Sequence, residues 1–166
     1  MKVLIVEDEI MAQRSLVRLL TQNFPDMDIV GTTSSVKSTV EWLKDAGNKA
    51  DVIFMDVELA DGICFEIFRQ IDIKAKVIMT TAYDSYALKA FEAGSVDYLL
   101  KPIEVADLRR SVARCRMSGG MFDYEALAKH YIQYGIKENR TMALKVKAVS
   151  SAPAVYQETT YDEEGR

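Results

Sequence analysis

The sequence predicts a doubly wound α/β domain built on five parallel strands. Three observations carry that prediction. Short unbroken apolar runs at Val3 to Val6, Val52 to Met55 and Val77 to Met79 are too brief for typical helices, so they read as strands buried on both faces. The stretches between them carry apolar residues at helical spacing. Runs and stretches alternate along the chain, which is the pattern of β-α units folded into a parallel sheet with helices on both sides.

The elements follow in order. The first strand, Val3 to Val6, ends at Glu7-Asp8. A helix over about 9–22 places Ala12, Leu16, Leu19 and Leu20 on one face, with Gln13, Arg14 and Arg18 opposite, and Phe24-Pro25-Asp26 stops it. Ile29-Val30 gives a short second strand closed by a Gly31-Thr32-Thr33 turn. Ser34 or Ser35 caps a second helix whose inner stripe is Val36, Val40 and Leu43; Trp42 packs on its flank and Gly47 ends it. The third strand, Val52 to Met55, delivers one carboxylate, Asp56, at its end. After an Asp61-Gly62 turn, Ile63, Ile67 and Phe68 pattern a third helix to about Ile71. Lys76 to Thr80 is the fourth strand, and a helix over 85–93 faces inward through Ala87, Ala90 and Phe91 until Gly94 stops it. Val96 to Leu100 is the fifth strand, ended by Lys101-Pro102. A last helix over about 104–117 carries Val105, Leu108, Val112 and Cys115 on one stripe. Right-handed crossovers leave few topologies for five such units, and the flavodoxin-like order 2-1-3-4-5 is the natural one.

Residues 1–117 therefore form one domain of the 166-residue chain. Ser118-Gly119-Gly120 opens a linker over 118–122. An appendage over 123–147 has Tyr124, Leu127, Ala128 and Tyr131 at helical spacing, then Met142, Leu144 and Val146 alternating as in a strand. Residues 148–166 show no period and read as an irregular tail. A net charge of −4 argues against direct binding to polyanions by this chain alone. Cys64 and Cys115 lie on helix-like apolar faces and read as buried free thiols. No apolar run reaches bilayer length, so the expectation is a soluble, cytoplasmic protein without membrane contact.

The strand ends carry the chemistry. In a 2-1-3-4-5 sheet the first, third, fourth and fifth strands are neighbours, so Glu7, Asp8, Asp56, Thr80, Thr81 and Lys101 converge on one rim. Three carboxylates this close cannot all stay ionised without a cation between them. An all-oxygen cluster suits Mg²⁺, whereas zinc is disfavoured because the lone histidine, His130, lies in the appendage. Lys101 adds a point charge for a carboxylate or phosphoryl group, and Thr81 adds a hydroxyl. The set fits a nucleophilic aspartate poised for phosphoryl transfer.

Four motifs in order, V-E-D-E, M-D-V, T-T-A and D-Y-L-L-K-P, resemble those of receiver domains of two-component response regulators. The segment T-T-A-Y-D-S-Y-A-L-K-A-F-E-A-G-S-V-D-Y-L-L-K-P-I is similar to receivers of LytTR-type transcription regulators. The resemblance implies that Asp56 is the phosphoacceptor, charged by a partner histidine kinase. It implies that Glu7 and Asp8, with Asp56 and the backbone carbonyl of Glu58, bind Mg²⁺, and that Lys101 contacts the phosphoryl group. Thr81 and Tyr98 would be the switch pair, and the Lys101-Pro102 bond would be cis. It further implies a homodimer through the fourth helix, fifth strand and fifth helix. Lys89, Asp97 and Arg110 are candidates to pair across its two-fold axis, and Arg109, Arg110, Arg114 and Arg116 make the last helix basic. Tyr83 and Glu58 sit where relatives tune phosphoryl lifetime, though Tyr83 reads equally as a rim aromatic covering the pocket.

LytTR regulators carry a mostly β DNA-binding domain after the receiver, and the residues beyond Met117 are too few for its core. DNA contact is therefore expected only through a domain not complete in this chain. The alternatives are a stand-alone receiver acting by protein–protein interaction, or an aspartate-nucleophile phosphatase. Haloacid-dehalogenase-like phosphatases put the nucleophile on the first strand with a second Asp two residues on. Here the candidate is on the third strand, Glu58 holds the plus-two place, and no cap insertion is evident. A phosphoacceptor domain, not an enzyme with turnover, is the expectation.

Overall fold

The computed structural model describes residues 1–117. The linker, appendage and tail expected over 118–166, with His130, lie outside the described residues. The chain runs β1 (Lys2–Val6), α1 (Ile10–Asn23), β2 (Asp28–Thr33), α2 (Val36–Lys44) and β3 (Val52–Asp56). A hairpin of two-residue strands, Glu58–Leu59 and Gly62–Ile63, comes next, then α3 (Phe65–Gln70) and β4 (Lys76–Thr81). A 3₁₀ turn (Asp84–Tyr86) leads into α4 (Ala87–Glu92), followed by β5 (Asp97–Leu100) and α5 (Val105–Arg116). The five long strands pair in parallel in the order β2-β1-β3-β4-β5, as the sequence predicts.

The sheet is buried on both faces because strand side chains alternate. Leu4, Val6, Ile53, Met55, Val77, Met79 and Tyr98 point to one side, under Val36 and Val40 of α2, Ile67 of α3, and Ala87 and Ala90 of α4. Val3, Ile5, Val52, Phe54, Ile78 and Leu99 point to the other, under Leu16 and Leu20 of α1 and Leu108, Val112 and Cys115 of α5. At about 1.5–3 kcal/mol for each large apolar side chain buried, these two layers dominate the stability. Both thiols are buried and free, as expected.

Three local expectations need correction. Gly31-Thr32-Thr33 is strand, not turn; β2 bulges against β1, where Val3 pairs with Ile29 but Leu4 with Gly31, leaving Val30 as the extra, exposed residue. Gly31 is there because Trp42 lies over it: a Cβ would come within 2.7 Å of the indole Nε1. Ile63 belongs to the hairpin, and α3 starts two residues later. The helix expected from 85 begins as a 3₁₀ turn.

The hairpin also serves α2. Ser35 caps that helix in a reciprocal box with Ser38. Asp61 at the hairpin tip supplies a second cap, accepting from the Val36 N–H at 2.6 Å and the Lys37 N–H at 3.1 Å. Those two donors hold the Asp61 carboxyl below the usual carboxylate range. A depressed folded pKa means that the stabilisation is present above the unfolded value and fades as pH falls through the folded one. Asp61→Ala is expected to cost about 1 kcal/mol or less, the range for losing an exposed cap, in urea melts at neutral pH and to cost less in acid.

Candidate functional site

Each strand end contributes one or two groups. Glu7 follows β1, and its N–H donates to the Thr33 carbonyl at 2.9 Å, which fixes the turn out of the strand. Asp56 ends β3 in register with Thr80 of β4, and Thr81 ends β4. Lys101 follows β5, tied by its N–H to the Thr81 carbonyl at 2.8 Å. The Lys101-Pro102 bond is cis. Of the expected residues, Glu7, Asp8, Asp56 and Lys101 come together, with Thr81 beside them at the end of the next strand.

Lys101 is the bridge. Its Nζ lies 2.6 Å from Glu7 Oε2 and 2.9 Å from Asp56 Oδ2. One carboxylate oxygen from each of Glu7, Asp8 and Asp56 can be chosen so that all lie within 4.8 Å of one another. Glu7 and Asp56 are only 5% and 6% exposed, whereas Asp8 opens to solvent. Backbone donors complete the carboxylates, with the Glu9 N–H 3.1 Å from Glu7 Oε1 and the Glu58 N–H 3.2 Å from Asp56 Oδ1.

The electrostatics follow from burial. Desolvation pushes the Glu7 carboxyl up to about 7; Asp56 nearby adds to the rise, and Lys101 and the Glu9 N–H oppose it. Burial disfavours the Lys101 ammonium, yet its bonds to Glu7 and Asp56 prevail and hold its pKa above the usual lysine value. Three carboxylates facing one ammonium leave the pocket short of positive charge. An all-oxygen, net negative set with one solvent-facing member fits a hexacoordinate cation such as Mg²⁺, which retains several waters. The Cys64 thiol is pushed up to about 12, chiefly by burial, which disfavours its reactive thiolate form.

The hydroxyls are linked by one loop. Thr81 Oγ1, buried, accepts from the Tyr83 N–H at 3.2 Å. Tyr98 is also buried, and its phenol donates to the Tyr83 carbonyl. Tyr83 thus has its backbone held between the two expected switch residues, while the residue as a whole is 53% exposed. Thr80 is a buried strand residue in register with Asp56. Glu58 stands in the hairpin, and its carboxylate accepts from the Tyr86 phenol at 3.2 Å.

Two groups of residues were not visible as partners in the sequence. Tyr86 lies within the LytTR-like segment, but its partner Glu58 emerges only from the 3₁₀ turn that aims it there. Asp97, offered above for a two-fold interface, is instead buried and bound within the chain. It accepts from Ser111 Oγ, the Tyr98 N–H at 2.8 Å, Arg110 Nε at 3.3 Å and Arg114 Nη1 at 2.9 Å. Arg110 also pairs with Asp107 at 2.8 Å. Asp97 is thus a carboxylate satisfied four ways within the chain, between β5 and α5. The i, i+4 spacing of Arg110 and Arg114 was the one signal that could have suggested this.

Residues 3–113 match the response regulator receiver domain family. The transcriptional regulatory protein BtsR of Escherichia coli (strain K12) is 34% identical over 131 residues, covering 78% of this chain and 54% of that protein. The sensory transduction protein LytT of Bacillus anthracis is 37% identical over 107 residues, covering 63% of this chain and 42% of that one. The chain thus spans about half the length of these relatives. Among solved structures, the response regulatory domain of protein mrkE from Klebsiella pneumoniae superposes with a TM-score of 0.60 at 32% identity, covering 69% of this chain and 94% of that one. The response regulator domain of Thermotoga maritima CheB gives 0.60 at 24% identity over 69% of this chain and 95% of that one, a likeness of fold. With the sheet order, the rim of acids and the match over 3–113 in agreement, the chain belongs to the response regulator receiver domain family.

Proposed function

We propose that this domain is a phosphorylation switch in which Asp56 accepts a phosphoryl group from the phosphohistidine of a partner kinase. The observation that carries the reading is the Lys101 ammonium between Glu7 and Asp56, in a pocket whose three carboxylates outnumber it. An Asp56 oxygen attacks phosphorus, the P–N bond to the donor histidine breaks, and the imidazole keeps the electron pair and takes a proton. Glu7, Asp8, Asp56 and the Glu58 carbonyl would hold Mg²⁺, which when bound offsets the charge of the transferring group. Lys101 turns from the carboxylates to the phosphoryl oxygens, as a mobile point charge can.

The new group brings about −2 charge and strong acceptor oxygens. Thr81 donates to one of them. Its move disturbs the Tyr83 N–H that it now accepts, and through the Tyr83 carbonyl it disturbs Tyr98. The result is a change in the α4–β5–α5 surface, which governs dimerisation or partner binding. The relatives' printed roles in sensory transduction and transcription support a transcriptional output through a further, DNA-binding domain. No helix among the described residues is long and apolar enough to cross a membrane, and the reading places the protein in the cytoplasm beside its kinase.

Acyl phosphate with Mg²⁺, read by intact mass, tests this. The wild-type chain is expected to gain one phosphoryl group and Asp56→Asn none. Equal labelling of both, or steady turnover of p-nitrophenyl phosphate, would overturn the switch reading.

A further inference from the structure

The Tyr86 phenol donates to a carboxylate beside the phosphoacceptor, since its partner Glu58 lies two residues after Asp56. The ring is held from two sides. Phe65 packs against it at 6.3 Å between centroids, and Tyr83 meets it edge-on at 6.4 Å. Half-buried and facing a carboxylate, the phenol stays protonated, because burial and Glu58 both push its pKa up. Glu58 itself is exposed, and its N–H already touches Asp56 Oδ1 at 3.2 Å. Its carboxylate therefore hangs from a backbone fixed at the reacting carboxyl, within a side chain's length of any phosphoryl group placed there. What keeps it to one side is the Tyr86 bond.

We propose that Tyr86 is a positioning residue that sets the lifetime of the acyl phosphate by tethering the Glu58 carboxylate away from the phosphoryl group. Released, that carboxylate is a general base for hydrolysis. A water attacks phosphorus while Glu58 takes one of its protons. The bond from phosphorus to the Asp56 oxygen breaks, the Asp56 carboxylate is restored, and inorganic phosphate leaves with the hydroxyl. Tethered, Glu58 is spent on a phenol that cannot pass the proton on. The tether joins the hairpin after β3 to the turn before α4, so a partner that pulls Tyr86 outward would shorten the signal. This inference rests on the phosphoacceptor role of Asp56.

A double-mutant cycle on the half-life of the acyl-phosphate-labelled protein, followed by intact mass, tests it. Tyr86→Phe is expected to shorten the half-life about 2- to 10-fold, the shift in a two-state population that one lost hydrogen bond produces, with the rate of labelling unchanged. In the Glu58→Gln background, Tyr86→Phe is expected to change nothing, because no base remains to be released. Melting curves of all four chains establish that each is folded. A Tyr86→Phe half-life equal to wild type, or one shortened equally in both backgrounds, overturns the tether. Failure of every variant and of wild type to take the label would instead overturn the phosphoacceptor assignment itself.

Discussion

Glu7→Gln is expected to make the metal-free domain more stable at pH 8 while removing most of its response to Mg²⁺. The Glu7 carboxyl is raised by burial to about 7 from an ordinary value near 4.5. A carboxyl whose folded pKa lies above its unfolded pKa binds its proton more tightly when folded. Its contribution is therefore most favourable below about 4.5, declines as pH rises from there to about 7, and is flat beyond. At pH 8 the wild-type protein holds an ionised carboxylate that burial penalises, by roughly 1–3 kcal/mol with the Lys101 pair set against it. Glutamine removes that penalty and keeps an acceptor for the Glu9 N–H. Urea melts in EDTA should thus show Glu7→Gln ahead of wild type at pH 8 and the gap closing towards pH 5. Added Mg²⁺ should reverse the order, because a ligand stabilises only the chain that binds it. A Glu7→Gln chain less stable than wild type at pH 8 in EDTA would show that the Lys101 bond outweighs the burial cost.

The sheet was legible because parallel strands buried on both faces leave continuous apolar runs. Val3 to Val6 and Val52 to Met55 sit within a residue of the observed strands. The rim was legible for the same reason, since a polar residue that ends such a run must lie at the strand's end. β2 was harder. Its residues alternate between exposed and half-buried, so only Ile29-Val30 stood out, and the bulge at Val30 shifts the pairing with β1 without leaving a mark in that alternation. The hairpin at Glu58–Ile63 was hidden because two-residue strands have no period. Partners across space were hidden as well. Asp61 reads as a turn residue in any sequence, and only the fold brings it onto the first turn of α2. Tyr86 and Asp97 belong to the same class: ordinary residues whose roles come from what the tertiary structure sets opposite them.

Asp97→Ala carries the largest expected loss of stability. The carboxylate is 5% exposed and anchors α5 to β5 through two guanidinium groups, one hydroxyl and one backbone N–H. Arg110 keeps Asp107 after the substitution, but its Nη2 is already buried without a hydrogen-bond partner. Removing the anion leaves two cations pressed against the sheet edge without their common counter-charge, for which about 3 kcal/mol is the expected cost, since breaking one side of a buried ion cluster strands the other. Asp97→Asn preserves the shape and acceptors and should lose about half as much, the charge-assisted part of those bonds. The midpoint of urea unfolding gives the magnitude. Hydrogen exchange gives the location, with protection falling first along α5 and at the Tyr98 N–H. A role at a two-fold interface predicts something different: a loss that grows with protein concentration, because dimers dissociate on dilution. A stability change for Asp97→Ala that depends on concentration, with the dilute monomer unaffected, would return Asp97 to the interface. A loss independent of concentration makes it the staple that fixes α5 to β5 within one chain.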